Sequence, residues 1–256
     1  MGTRRAVRIA VDATTDVGRR AGLILLNGTG IEALGLVDSD PRTDADPRVT
    51  RADDLADYDG IITDREDPRE IFARALAGGT PMASWVDFRP DESDIAVVGG
   101  ANLATGITTC LAFHEAARST EVLEEVLAWT QPGRALRRGT AVAFPDPVGA
   151  RWGTKLPSGD DAIPTTRIVV PLDGDWAGAS AQVTCATAEG VVRRVVGVAD
   201  LAVHLEAIAL AAAAATLEHF PQRPCSAVDA AEVYLSKTLE MGLAVATYLD
   251  GTPAAR

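Results

Sequence analysis

The stretch "RIAVDATTDVGRRAG", residues 8–22, decides the fold. Arg8–Val11 is a short apolar run, and after a polar loop the segment Val17–Leu26 has helical length. Strand, tight turn, helix is the opening of a nucleotide-binding βα unit, where backbone N–H groups at the helix N-terminus cradle a pyrophosphate. Aligned with a G-x-x-G-x-x-G turn, the glycine positions carry Asp12, Thr15 and Gly18. Only Gly18 survives, and that glycine mainly serves close helix–strand packing. Asp12 and Asp16 bring negative charge toward a pyrophosphate, which is unfavourable unless they face away. Arg19 and Arg20 could offset this, and Thr14 and Thr15 offer hydroxyl donors. The candidate cofactor-binding loop is therefore Thr14, Thr15, Asp16, Val17 and Gly18.

The second half of the pattern is intact. Asp38 ends the apolar run of "LGLVDSD", 20 residues past Gly18. An acid there can accept both hydroxyls of an adenine-side ribose and would repel a 2′-phosphate. That favours NAD over NADP, although Arg42 could reverse the preference. The plain alternative is that Asp38 merely opens the polar loop that follows, and that no cofactor binds.

Outward from this turn, strand and helix signals alternate. Ala33–Val37 and Asp57–Asp64 read as strands, with "NGTG" (Asn27–Gly30) stopping the first helix. Pro68–Gly79 is expected to be a helix, with Pro at its start and Gly at its end. "PMASWVDF" and "DIAVVGG" supply two further strands, joined by only Phe88–Asp94 where a helix would be usual. Asn102–Arg118 and Glu121–Trp129 read as consecutive helices. Past Gly133 the pattern becomes short strands and tight turns, with a hairpin at Glu189-Gly190. Asp200–His219 and Ala227–Leu249 read as long helices, the first Ala-rich, which suits close packing rather than a membrane. The expected fold class is α/β: a Rossmann-like doubly wound parallel sheet in residues 1–118, then a mainly antiparallel α+β domain with closing helices in residues 119–256.

Composition narrows the function. Across 256 residues, 24 Lys and Arg face 36 Asp and Glu, a formal charge of −12 that repels nucleic acid and anionic membranes. The longest apolar run, Ala207–Ala215, is far short of the roughly 20 residues that span a bilayer. Three cysteines without metal spacing read as buried thiols of a reducing compartment, so a cytoplasmic protein without a metal is expected. The expected partners are a small-molecule substrate and further copies of the chain in a homo-oligomer.

More specific motifs follow. "SWVDF" (Ser84–Phe88) resembles the strand-end Y-x-D segment of saccharopine-dehydrogenase-like reductases. "GGANLATGITTCLA" (Gly99–Ala112) is similar to their G-x-x-P-G-L-x-N-L loop, with Thr105 in place of Pro and Thr109 in place of Asn. "FPDPVG" (Phe144–Gly149) resembles their F-P-E-P-V-G segment, and the Ala-rich tail resembles their closing helices. "ANLATG" also resembles the N-F-S-x-G loop of dihydrodipicolinate reductase, and "KLPSG" (Lys155–Gly159) faintly matches its K-x-D-x-P-S-G, with the spacing wrong and the paired histidines missing. The resemblance implies an NAD(P)-dependent oxidoreductase working on a C=N or C=O bond of an amino-acid-like substrate.

On that reading Asp64 lies beside the nicotinamide, and Asp87, Lys155 and Asn102 are the catalytic candidates. Thr105, Arg151 and Trp152 are the substrate-binding candidates, Arg151 as a bidentate carboxylate clamp; Arg151, Trp152 and Lys155 are expected in a Gly/Pro-rich loop after "FPDPVGA". Each has a plainer reading: Asp64, Asn102 and Thr105 as helix caps, Asp87, Arg151 and Lys155 as solvated charges. Two rivals stand beside the oxidoreductase: a non-catalytic binding or assembly protein that has lost its dinucleotide site, and a non-redox enzyme using the same cleft.

Overall fold

The computed structural model describes residues 7–28, 30–39, 46–157, 159, 161–188, 190–249 and 252–253. Arg42, Glu189 and Thr29 of the "NGTG" stop lie outside the described residues. In chain order the elements begin with β1 (Val7–Asp12), α1 (Asp16–Asn27), β2 (Ile31–Leu36), β3 (Val49–Arg51), β4 (Gly60–Thr63), α2 (Arg69–Gly78), β5 (Met82–Ser84) and β6 (Val97–Gly99). A π-helical turn, Leu103–Ile107, leads into α3 (Thr108–Ala117). Then come β7 (Glu121–Pro132), β8 (Thr140–Ala143), β9 (Ala150–Lys155), β10 (Thr165–Leu172), β11 (Trp176–Thr187) and β12 (Gly190–Leu201). The chain closes with α4 (Ala202–Ala215), β13 (Pro224–Ser226), α5 (Ala231–Glu240), β14 (Ala246–Leu249) and β15 (Thr252–Pro253).

Two compact units result. One comprises Met1–Asn102 with Glu206–Met241, the other Leu103–Leu205 with Gly242–Arg256. The first contains a seven-stranded sheet in the order β13-β6-β5-β4-β1-β2-β3, with every pairing parallel. The second contains an eight-stranded sheet, β15-β14-β12-β11-β7-β10-β9-β8, antiparallel except for β7 against β10. This is the expected α/β architecture, a Rossmann-like doubly wound parallel sheet with a second unit built on a mainly antiparallel sheet.

Local chemistry sets the first unit. The buried residues of α1 are Val17, Gly18, Ala21, Gly22 and Leu25, one stripe at helical spacing. The end of α2 is fixed by Gly79 at φ 66°, a left-handed cap whose N–H bonds back to Leu76. Against α2 lies a core of Ile61, Met82 and Val97 from three neighbouring strands, with Ile71, Ala75 and Tyr58. Each such large apolar side chain stabilises the fold by about 1.5–3 kcal/mol. Over Ala207–Ala213, α4 is 0% exposed, so its alanines let surrounding elements approach from every side.

Three local expectations are corrected. Glu121–Trp129 is not a helix but most of the strand β7, held on one side by β11 and on the other by β10. Its Glu, Leu and Ala content favours a helix locally, and two ladders of hydrogen bonds override that preference. Arg151, Trp152 and Lys155 are not in a loop: they lie on β9, paired with β8 and β10. The glycines and prolines before them mark only the turn between β8 and β9. The helix expected over Ala227–Leu249 stops at Glu240, because Gly242 adopts φ 102° and Ala246–Leu249 pairs with β12 instead. The hairpin expected at residues 189–190 joins β11 to β12, which pair from Trp176↔Leu201 to Thr187↔Gly190.

Candidate functional site

In the first sheet β1 has β2 on one side and β4 on the other, so the strand order reverses there. The carboxyl ends of β1 and β4 therefore flank the crevice in which doubly wound folds take ligands. Asp12 and Thr63 end these two strands opposite each other. Both are buried.

The loop leaving β1 turns directly into α1. Thr15 caps the helix, its Oγ1 accepting from Val17 N at 3.1 Å. The remaining donors converge on one anion, and that anion is the carboxylate of Asp64. Its Oδ1 accepts from Thr14 N at 2.7 Å and Thr14 Oγ1 at 2.8 Å. Its Oδ2 accepts from Thr15 N at 2.9 Å, Thr15 Oγ1 at 2.6 Å and Gly18 N at 2.8 Å. Asp64 is 0% exposed. Burial pushes its carboxyl pKa up, but the Thr15 hydroxyl and then the other donors outweigh that and hold it below the ordinary 3.8. It is ionised at neutral pH, at the positive end of the α1 dipole.

Next in sequence, Arg65 grips Asp12 with both arms of its guanidinium, Nε to Oδ2 at 2.7 Å and Nη2 to Oδ1 at 2.9 Å. Thr63 Oγ1 donates to the same carboxylate at 2.8 Å. Asp38 adopts φ 52°, and both its oxygens accept from Arg74 Nη1, at 2.9 and 3.1 Å. Arg65 Nη2 is 3.6 Å from Asp38. The ionic side chains of this edge thus satisfy one another: Asp12 with Arg65, Asp38 with Arg74, Asp64 with the turn.

These observations test whether a dinucleotide suits the turn. The donor set suits phosphate oxygens: three amides and two hydroxyls converge on the two oxygens of one carboxylate. The space does not, because the carboxylate is already seated where a phosphate would go. With Asp64 in place the turn and a pyrophosphate do not fit together.

A second group of polar contacts lies at the ends of β5 and β6. Trp85 Nε1 donates to Glu206 Oε2 at 2.9 Å, and Asn102 Nδ2 donates to the Trp85 carbonyl at 2.8 Å. Ser84 is 0% exposed, and its Oγ has no hydrogen-bond partner among the described residues. Asp87, in the same segment, is exposed and pairs with Arg89 Nε at 2.8 Å. Asp16 is exposed too, bonded to Arg19 at 2.9 Å.

The other candidates belong to the second unit. Thr105 lies half-buried in the π-helical turn. On β9, Arg151 and Lys155 share one face and Trp152 takes the opposite one. Arg151 Nη1 donates to the carbonyl of Ala150 at 2.8 Å, and Trp152 is 44% exposed. The three cysteines are buried thiols, and burial raises the pKa of Cys225 to about 11 and that of Cys110 further. Neither is a nucleophile at neutral pH. Among the described residues no group of three or more His, Cys, Asp and Glu side chains is arranged to hold a metal ion. No described helix is long and apolar enough to cross a membrane.

Sequence reasoning named Asp64 and Asp38 but missed Arg65, Arg74 and Glu206. The adjacency of Asp64 and Arg65 at the end of "GIITD" was the available signal. Their partners lie about 50 residues away in the chain, at Thr14, Thr15, Gly18 and Asp12.

No family model matches this chain, and no curated protein matches it. Its fold is similar to that of solved structures. A meso-DAP dehydrogenase variant with DAP, from Clostridium tetani E88, superposes with a TM-score of 0.55 at 10% identity, covering 90% of this chain and 96% of that one. An engineered D-amino acid dehydrogenase bound to NADP+ gives 0.53 at 12% identity, covering 87% and 93%. Dipicolinate-bound dihydrodipicolinate reductase from Paenisporosarcina sp. TG-14 gives 0.49 at 11% identity, covering 88% and 98%.

Proposed function

We propose that this chain is an oxidoreductase of the NAD(P)-dependent, two-domain type, working on a small amino-acid-like molecule at the carboxyl edge of its parallel sheet. The observation that supports the reading is the donor set of Thr14, Thr15 and Gly18 at the α1 N-terminus, beside the point where the strand order reverses, which suits a phosphate once Asp64 has left it. A turn built to gather donors on one anion is what a dinucleotide phosphate requires. Support for the substrate class comes from the similar structures described with DAP and as a D-amino acid dehydrogenase. Glu206, held by Trp85, is the carboxylate we assign to a substrate ammonium, and Asn102 the side chain that keeps Trp85 in position. Asp87 and Lys155 stay catalytic candidates and Thr105, Arg151 and Trp152 substrate-binding candidates, each within its own unit. The saccharopine-dehydrogenase-like assignment, the choice between NAD and NADP, and a homo-oligomeric state belong to the same proposal.

The test is a thermal-shift series with meso-diaminopimelate and D-amino acids, each with NAD, NADH, NADP and NADPH. A ligand that binds the folded state raises the midpoint by linkage. A shift with an amino-acid ligand, larger with one dinucleotide present, is expected. No shift from any combination at millimolar concentration, in the wild type and in Asp64→Asn alike, contradicts the reading.

A second reading is favoured by one observation, the Asp64 carboxylate seated in the cradle. It is a binding or assembly protein that keeps the fold without the dinucleotide.

A further inference from the structure

We infer that Asp64 is a built-in competitor for the dinucleotide phosphate, so that a nucleotide enters the first βα turn only when this carboxylate leaves it. The inference rests on the oxidoreductase reading for the identity of the dinucleotide, but not for the behaviour of the cradle.

Two features of the geometry carry it. First, the occupancy is complete: each of the three amides and both hydroxyls that a phosphate would use is already within 2.9 Å of an Asp64 oxygen. The fit leaves no slack, since a Cβ built on Gly18 would lie 2.5 Å from Asp64 Oδ2. A phosphate and an ionised carboxylate cannot share that space, and at such range like charges repel strongly even under protein screening. Second, the cation next to Asp64 in the chain is committed. Arg65 adjoins Asp64, yet both arms of its guanidinium hold the buried Asp12. Moving Arg65 onto a phosphate would strand Asp12, which is 2% exposed.

Asp64 immediately follows the last residue of β4 and precedes Pro68 at the entry of α2. It therefore stands one residue past β4, its N–H donating to the Asp12 carbonyl at 3.5 Å while its carboxylate reaches the turn. Rotation of its side chain alone would take the carboxylate out of the cradle without unpairing β4 or moving Arg65 off Asp12. The turn is then closed in the absence of nucleotide, and binding includes the cost of evicting one charged, fully hydrogen-bonded side chain.

The experiment is calorimetric titration of the full chain with ADP, and separately with NAD, NADH, NADP and NADPH. It compares the wild type, Asp64→Ala and Asp64→Asn. Asp64→Asn keeps the volume and one acceptor oxygen, so it carries the test if Asp64→Ala does not fold. Both variants are first checked by circular dichroism and thermal melting. We expect ADP affinity to rise at least about tenfold in a folded variant, the equivalent of 1.4 kcal/mol, with wild-type binding weak. Wild-type ADP affinity within about threefold of both folded variants overturns the inference. So do folded variants that bind no ADP. A gain for ADP without binding of any nicotinamide dinucleotide upholds the role of Asp64 and overturns the oxidoreductase reading instead. A gain for both upholds both.

Discussion

Oδ2 of Asp64 accepts a hydrogen bond from the backbone nitrogen of Gly18 at 2.8 Å, across 46 residues of chain. The last glycine of the turn thus serves a different need from the one its motif suggests. It lets a carboxylate of the protein itself approach the first turn of α1, where a side chain would collide.

That approach predicts an unusual sign for Gly18→Ala. In a helix interior the substitution ordinarily stabilises by up to about 1 kcal/mol. Here the new methyl meets Asp64 Oδ2, and we expect destabilisation of about 1–3 kcal/mol, read from denaturant midpoints. In an Asp64→Ala background the penalty should shrink, since one of the two close neighbours is gone. Equal penalties in both backgrounds would mean that the collision lies elsewhere, at Ala13.

The Asp12–Arg65 pair should dominate over the surface pairs. Arg65→Met leaves a buried carboxylate with only the Thr63 hydroxyl, and a loss of about 3–5 kcal/mol is expected. Arg19→Ala breaks an exposed pair with Asp16 and should change stability by less than about 1 kcal/mol. Urea unfolding of the two variants measures both, and comparable losses would contradict the ranking.

Acid should loosen the turn in a defined window. The folded-state pKa of Asp64 lies below its ordinary value of 3.8, so its contribution is fully present above that value and is lost as pH falls through the lower folded value. Stability followed from pH 6 to about pH 2 should therefore fall more steeply in the wild type than in Asp64→Asn below about pH 4. Parallel curves would remove Asp64 as the source.

The contacts of Trp85 give a substrate-side prediction. Glu206→Gln should weaken binding of an amino-acid ligand by about tenfold or more, because a charge-assisted bond to an ammonium becomes a neutral one. Its effect on the melting temperature should be small, since Glu206 is only half-buried. Calorimetry with the ligand found in the thermal-shift series would measure it, and unchanged affinity would remove Glu206 from the ammonium role.

The doubly wound sheet was legible because its signals are local. Apolar runs, Pro68 and Gly79 each mark an element from within a few residues. β7 was not legible, since residues 121–129 are good helix formers and only partners at β10 and β11 make them a strand. The three-residue strands β3 and β13 carry no periodic pattern at all. In the site, the turn and its acids were visible as types and spacings. Which group the turn donors face was not, because that depends on a tertiary contact between the ends of β1 and β4. In sequence Asp64 reads equally well as a helix cap or a neighbour of a nicotinamide, and neither reading places it in the cradle.

The most direct test of the account is nuclear magnetic resonance of the Thr14, Thr15 and Gly18 amides in the wild-type protein during an acid titration and, separately, at neutral pH with added ADP. We predict that all three amides titrate together with a single carboxyl whose pKa lies below 3.8, and that millimolar ADP leaves them in place at neutral pH. Amides that ignore the acid titration but shift with micromolar ADP would show a cradle open to nucleotide, and would contradict the account.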